Sequence, residues 1–326
     1  MDKHDLRIVF LGTPDFAMES LRALVENGYR VVGIVTVPDK PVGRHRSVLQ
    51  DSPVKKYALS KGIPVLQPEK LKDELFLDKL RALQADLQIV VAFRILPEEV
   101  WDMPRYGTFN LHGSLLPQYR GAAPINWAVI NGEQETGVTT FFLTHGIDTG
   151  RIIRQRTVAI AETDNAGIIH DRLMTIGAEL VLETVELIIA YEGCINTIPQ
   201  ENLFHNPSEL RQAPKIFNDT CRINWQQPAK VIYNFIRGLS PYPAAWTALK
   251  MSDGTDQSLK IYETAIVPKT SPLPAGSVFT DQKSFLDIAA EDDCIRLLSI
   301  QLSGKKRLNI KEFLQGIHSI EIRVMN

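Results

Sequence analysis

The chain reads as an α/β protein, a mostly parallel sheet covered by helices, followed by a smaller domain of short strands. Three observations predict this. A strand, a helix and a second strand open the chain as one β-α-β unit. Apolar runs then alternate with helical patterns to about residue 190. Beyond about residue 210, short alternating segments separated by turn residues take over, as in a small barrel or sandwich.

"LRIVFL" is the first buried strand. Gly12 follows, then Thr13 as expected N-cap with Pro14 at the first helical position, and a helix running to about Glu26. Gly28 suits the helix C-terminus, and "RVVGIVT" is the second strand. The apolar runs "IPVL", "LQIVVAF", "GTFNLH" and "TGVTTFFL" predict parallel strands, with helices at Pro53 to Lys61, Glu69 to Gln84 and Ala122 to Asn131. A long periodic helix is predicted from about Asp164 to Tyr191. "EGCINTIPQENLFHNPSELRQAPKIF" breaks the periodicity and marks the domain boundary. The expected division is 1–192, a linker over 193–210, and 211–326. A helix at "PAKVIYNFIRGL" then precedes strands near Trp246 to Met251, Leu259 to Val267, Gly276 to Thr280, Ser284 to Ala289 and Cys294 to Leu302.

With 326 residues, 44% hydrophobic and 23% charged, the chain is expected to hold about two folded domains. The start, "MDKHDLRIVFLG", has charges through Arg7 and only a short apolar run, so no secretory leader is expected, and no stretch is apolar enough to span a membrane. Cys194, Cys221 and Cys294 are odd in number and unpaired in spacing, which argues for a reducing, cytoplasmic setting. No metal is expected, because the seven histidines are scattered. The turn "GTPDFA" has Pro14 and Ala17 where a dinucleotide fingerprint wants glycine. The net charge of −2 conceals basic islands, with six basic against two acidic side chains over 38–61 and seven against three over 211–260.

The chemistry is concentrated in "TFNLHGSLLPQYRGAAPINWAV". Asn110 and His112 are two apart on a strand and share a face, while Phe109 and Leu111 share the other. Asp148, in "THGIDTG", stands five residues past Leu143 and is expected at a second strand end. The Asn amide and a His ring N–H can stabilise charge growing on a carbonyl oxygen, and a carboxylate can orient the imidazole. This suits acyl transfer to a nucleophile brought by the substrate. Covalent catalysis is disfavoured, since Ser114 lacks a G-x-S-x-G elbow. His145 is a rival proton carrier.

"FLGTPDFA", "NLHGSLLPQYRGAAPINWA" and "GIDTG" together resemble the folate-dependent formyltransferases. That resemblance implies a Rossmann-like formyltransferase fold and 10-formyltetrahydrofolate as formyl donor. It makes Asn110, His112 and Asp148 the catalytic trio. The folate site would be lined by Ser114, Leu115, Leu116 and Pro117, and by Phe93, Arg94, Ile95 and Leu96. Arg94 departs from the family pattern, standing where glycine is expected.

"RINW", "IRGLSPYPAAWT" and "IQLSGKKRLNIKEFL" are similar to the OB-like C-terminal domain of the family members that formylate initiator methionyl-tRNA. "PDKPVGRHRSVLQDSPVKKYA" resembles their inserted loop that grips the acceptor stem, with Arg44 at the key position and Arg46 beside it. Basic groups can track a phosphate backbone, so Lys215 and the turn residues Lys305, Lys306 and Arg307 are added as RNA contacts. The implied reaction is attack by the α-amino group of the esterified methionine on the formyl carbon, by a monomer with no membrane partner. A formyltetrahydrofolate hydrolase, a sugar-nucleotide N-formyltransferase and a non-catalytic RNA-binding protein are the alternatives.

Overall fold

The computed structural model describes residues 2–42, 48–250, 256–270, 272–316 and 323–325. Arg44 and Arg46 lie outside the described residues. The chain forms two compact units, one of residues 1–121, 136–158 and 170–212, the other of 122–135, 159–169 and 213–326.

In chain order the elements begin with β1 (Ile8–Gly12), α1 (Asp15–Glu26), β2 (Val31–Val35), β3 (Lys40–Val42), β4 (Val48–Gln50) and α2 (Pro53–Ser60). β5 (Val65–Leu66), α3 (Glu74–Ala82), β6 (Leu87–Val91), α4 (Glu98–Trp101), β7 (Thr108–His112) and β8 (Arg120–Gly121) follow. Next come α5 (Pro124–Ile130), β9 (Glu135–Phe142), β10 (Ile152–Ala159) and α6 (Ala166–Ala190).

The sheet of the first unit has the order β10-β9-β7-β6-β1-β2-β5. β1 pairs in parallel with β2 and β6, and β6 with β7. All five residues of β1 and of β6 are buried, as expected for central strands covered on both faces. α6 packs on the sheet through small residues: a Cβ at Gly177 would stand 2.7 Å from Leu111, and the Thr184 and Thr140 hydroxyls meet at 2.9 Å.

Three expectations need correction. β9 runs antiparallel to β7, with Phe109 opposite Phe142 and His112 opposite Thr139. The 113–134 connection, which holds the two-residue β8 and the seven-residue α5, is long enough for either direction, and parallel and antiparallel strands share the same side-chain alternation, so the pattern does not encode which forms. The first helix starts at Asp15 with Pro14 in the cap position, and the Thr13 hydroxyl leaves the helix to meet Thr36 at 3.1 Å. The predicted helix from Glu69 begins only at Glu74, where the Asp73 carboxylate accepts from the Phe76 N–H. β10, whose alternation had not been read as a strand, completes the sheet edge.

β11 (Gln212–Ala213) straddles the division of the units, and the second continues with α7 (Ala229–Leu239), β12 (Ala245–Lys250), β13 (Asp256–Val267), β14 (Val278–Thr280), β15 (Leu286–Ala289) and β16 (Cys294–Leu302). β17 (Leu308–Asn309), α8 (Ile310–Gln315) and β18 (Arg323–Met325) end it. Its strands pair antiparallel in the order β14-β15-β16-β13-β12-β18, an open half-barrel filled by Trp225, Ile261, Leu297 and Ile300 with Ile232 and Ile236 of α7.

The unit boundaries differ from the linear division. Residues 122–135 and 159–169 group with the C-terminal residues, while 193–210 group with the first unit. The cause is packing on α7. The Gly238 Cα approaches Ile130 so closely that a Cβ there would meet its Cγ1 at 2.5 Å. The buried Arg237 guanidinium donates to the Asp164 carbonyl at 2.8 Å and to Asn234 Oδ1 at 2.9 Å. Hydrogen bonds of this kind leave no periodic trace in sequence.

Candidate active site

Asn110 and His112 leave β7 on one face, roughly 7 Å apart along the strand. His112 is 6% exposed. Its Nε2 lies 2.9 Å from the Tyr119 carbonyl oxygen, a pure acceptor, so Nε2 carries the proton and donates. Nδ1 then faces Asp148 Oδ2 at 3.9 Å, beyond direct hydrogen bonding. In the neutral ring these are two acceptors facing each other. A proton on Nδ1, or a substrate donor between them, relieves the opposition. Asn110 Oδ1 is buried and has no protein hydrogen-bond partner among the described residues.

Asp148 arrives by an indirect route. Since β9 is antiparallel, its carboxyl end lies beside Thr108, the start of β7, where the Leu143 N–H donates to the Thr108 carbonyl at 2.8 Å. The 143–151 connection must therefore run back along β7 to reach His112. Asp148 takes φ +52 to do so. Gly150 passes so close to Phe142 that a Cβ would stand 1.6 Å from its carbonyl oxygen, so only glycine fits. The Gly121 N–H donates to Asp148 Oδ2 at 2.9 Å.

Around the trio stands a shell of backbone and amide bonds. Gln200, 1% exposed, donates to the carbonyls of Asp148 at 2.9 Å and Gly150 at 2.8 Å, and accepts from Arg120 Nη2 at 2.6 Å. Burial lowers the Arg120 pKa, and the negative charge of Asp148 opposes that shift. Tyr119 has φ +61, which is rare for an aromatic residue, and its N–H donates to the Arg211 carbonyl at 2.7 Å. Strain of this kind is held where it aims a functional group, here the carbonyl that orients His112. The rival His145 is an exposed residue paired with Glu98 at 3.4 Å.

Two family models match, Formyl transferase over residues 6–185 and Formyl transferase, C-terminal domain over 215–318. A methionyl-tRNA formyltransferase of Parabacteroides distasonis is 65% identical over 98% of both chains, and one of Bacteroides thetaiotaomicron is 57% identical over 100% of both. The chain belongs to the methionyl-tRNA formyltransferase family. Solved structures agree on the fold of this family member. HypX from Aquifex aeolicus, in complex with tetrahydrofolic acid, has a TM-score of 0.63 at 18% identity, covering 99% of this chain, which spans about half of HypX (51%). An N-formyltransferase from Helicobacter canadensis in complex with folinic acid and dTDP-3-aminofucose has a TM-score of 0.63 at 19% identity, covering 93% of this chain and 100% of its own.

The residues that the formyltransferase resemblance assigns to folate are placed unevenly. Ser114 is fully buried, its hydroxyl donating to the Gln118 carbonyl at 2.7 Å. Leu116 packs with Phe141 and Ile152, Pro117 is buried, and Leu115 is half-buried. Leu96 belongs to a core with Val9, Val35 and Phe76, against which Phe93 rests, while Ile95 is 73% exposed. The Arg94 side chain turns to the neighbouring loop, where Nη1 donates to the Glu69 carbonyl at 2.9 Å and Nη2 to that of Pro68. Burial lowers its pKa. Arg94 is thus a clamp between two strand-end loops.

Lys215, Lys305 and Lys306 are exposed in the second unit. Arg307 is already engaged, 2.5 Å from the Glu263 carboxylate and stacked 4.4 Å over Tyr262. Gln200 and Tyr119 were not singled out by sequence reasoning. Tyr119 lies inside the motif that carries the resemblance, whereas Gln200 sits in the stretch read as linker and has no local signal.

Proposed function

We propose that the protein transfers the formyl group of 10-formyltetrahydrofolate to the α-amino group of methionine on initiator methionyl-tRNA, with Asn110, His112 and Asp148 at the reacting atoms. The placement of His112 carries the reading, one ring nitrogen spent on the Tyr119 carbonyl and the other turned to Asp148. The family and the near-complete overlap with its 57–65% identical members support the substrate pair. Both substrates are brought to the site, so the protein need supply no nucleophile.

The amine lone pair forms a bond to the formyl carbon, and the carbonyl electrons move to its oxygen. The Asn110 amide N–H donates to that oxyanion. His112 Nδ1 takes the proton released by the nitrogen that attacked, and as imidazolium is held against Asp148. Collapse of the intermediate breaks the bond from carbon to N10, which receives the proton that the amine lost. Atoms balance as formylated amine plus tetrahydrofolate. Backbone groups of 114–117 and the exposed Ile95 border the folate.

The test is a set of separate incubations of purified protein with labelled formyl donor and either charged initiator tRNA, a nucleotide-linked amino sugar, or no acceptor. Label moving to methionyl-tRNA alone is the expected result. Label released without acceptor, or moved to the sugar, overturns the assignment.

A further inference from the structure

The second unit contains an open cleft of about 340 Å³ that plays no part in the chemistry above. Its lining includes Lys215, Phe217, Asn126, Tyr242 and Lys260. Tyr242 is 82% exposed, the most exposed of the large hydrophobic side chains among the described residues, and Phe217 is 58% exposed. Two aromatic rings left in water beside one cleft cost hydration free energy unless something covers them.

Both residues stand on braced backbone. Tyr242 stands between Pro241 and Pro243, which restrict the backbone on either side, and Lys260 Nζ donates to the Pro243 carbonyl at 3.1 Å. Phe217 opens a hydrogen-bonded turn, its N–H donating to Thr220 Oγ1 at 3.1 Å and its carbonyl accepting from that hydroxyl at 2.8 Å. The turn is tied down by the Trp246 indole N–H, which donates to the Asn218 carbonyl at 2.8 Å. Lys215 Nζ sits 5.3 Å over the Phe217 ring, placing a positive charge at the rim.

Aromatic faces on braced backbone with ammonium groups beside them match an unpaired nucleotide, whose base stacks while its phosphate meets the cations. An acidic peptide would use the cations and leave the rings without a partner. We infer that this cleft is a stacking site for an unpaired nucleotide of the single-stranded 3′ end of the acceptor RNA, with Tyr242 as the platform. The inference rests on methionyl-tRNA as acceptor, since the esterified methionine hangs from an unpaired 3′ tail.

Binding of two initiator tRNA transcripts, one complete and one lacking the single-stranded 3′ tail, to wild type, Tyr242→Ala and Tyr242→Trp tests this. Tyr242→Ala should weaken the complete transcript roughly tenfold and leave the tailless one unchanged, with Tyr242→Trp restoring wild-type affinity. Lys215→Gln should flatten the salt dependence for the complete transcript only. Equal losses on both transcripts, or no loss, overturn the stacking site while leaving tRNA as acceptor. Failure of the wild type to bind or formylate initiator tRNA overturns the acceptor reading, and the inference with it.

Discussion

The strand-end site in the first unit and the Tyr242 cleft in the second solve opposite problems. At His112 the imidazole is buried, one ring nitrogen is committed to the Tyr119 carbonyl, and Asp148 Oδ2 accepts from the Gly121 N–H. At Tyr242 the rings stand in solvent beside lysines. Bond-making chemistry needs donors fixed to within a fraction of an ångström before the substrate arrives, whereas stacking and phosphate contact tolerate water and adjust to the ligand. The difference teaches that exposure is a poor guide to function unless the chemistry asked of a residue is also specified.

The comparison can be broken most sharply at Asn110. Asn110→Ala should cut kcat by about 10²- to 10³-fold with little change in either KM, because it removes a donor to the developing oxyanion. Near-normal turnover in a folded variant would show that the buried site is structural.

A smaller effect is expected at Arg94, which joins two loops without facing the reacting atoms. Arg94→Ala leaves the Pro68 and Glu69 carbonyls without their donor and should raise the KM for 10-formyltetrahydrofolate, up to about tenfold, with the KM for methionyl-tRNA unchanged. Equal shifts for the two substrates, measured side by side, would dissociate this clamp from the folate.

The smallest effects belong to the surface. Lys305→Ala and Lys306→Ala should each reduce the slope of log Kd against log salt for tRNA by about one, and Arg307→Ala should leave it unchanged because Glu263 already neutralises that charge. A titration in which Arg307 mattered more than the lysines would reverse this ranking.

Much of the first unit was legible from pattern. Continuous apolar runs identified β1, β2, β6 and β7, and Gly28 at φ +78 ends α1 as its residue type implies. Asn110, His112 and Asp148 stood out as candidates as well, because Asn, His and Asp beside apolar strands are residue types with few packing uses, and the structure brings His112 and Asp148 to 3.9 Å. The support beneath it was not. Gln200 acts through the carbonyls of Asp148 and Gly150, and every residue has a carbonyl. The resemblance places Arg94 in a segment that lines the folate site, and its bonds to the Pro68 and Glu69 carbonyls were not legible, because a long flexible side chain finds its partner only once the neighbouring loop is in place.

By itself the sequence determined which segments become strands and helices, because side-chain periodicity and turn chemistry are local, and it determined which residue types are available for acyl transfer. The tertiary structure decided the antiparallel course of β9, the return path that brings Asp148 to His112, and the joining of 122–135 and 159–169 to the C-terminal residues. Those outcomes depend on hydrogen bonds and close approaches between residues distant along the chain, whose free energies exist only after folding has brought the partners together.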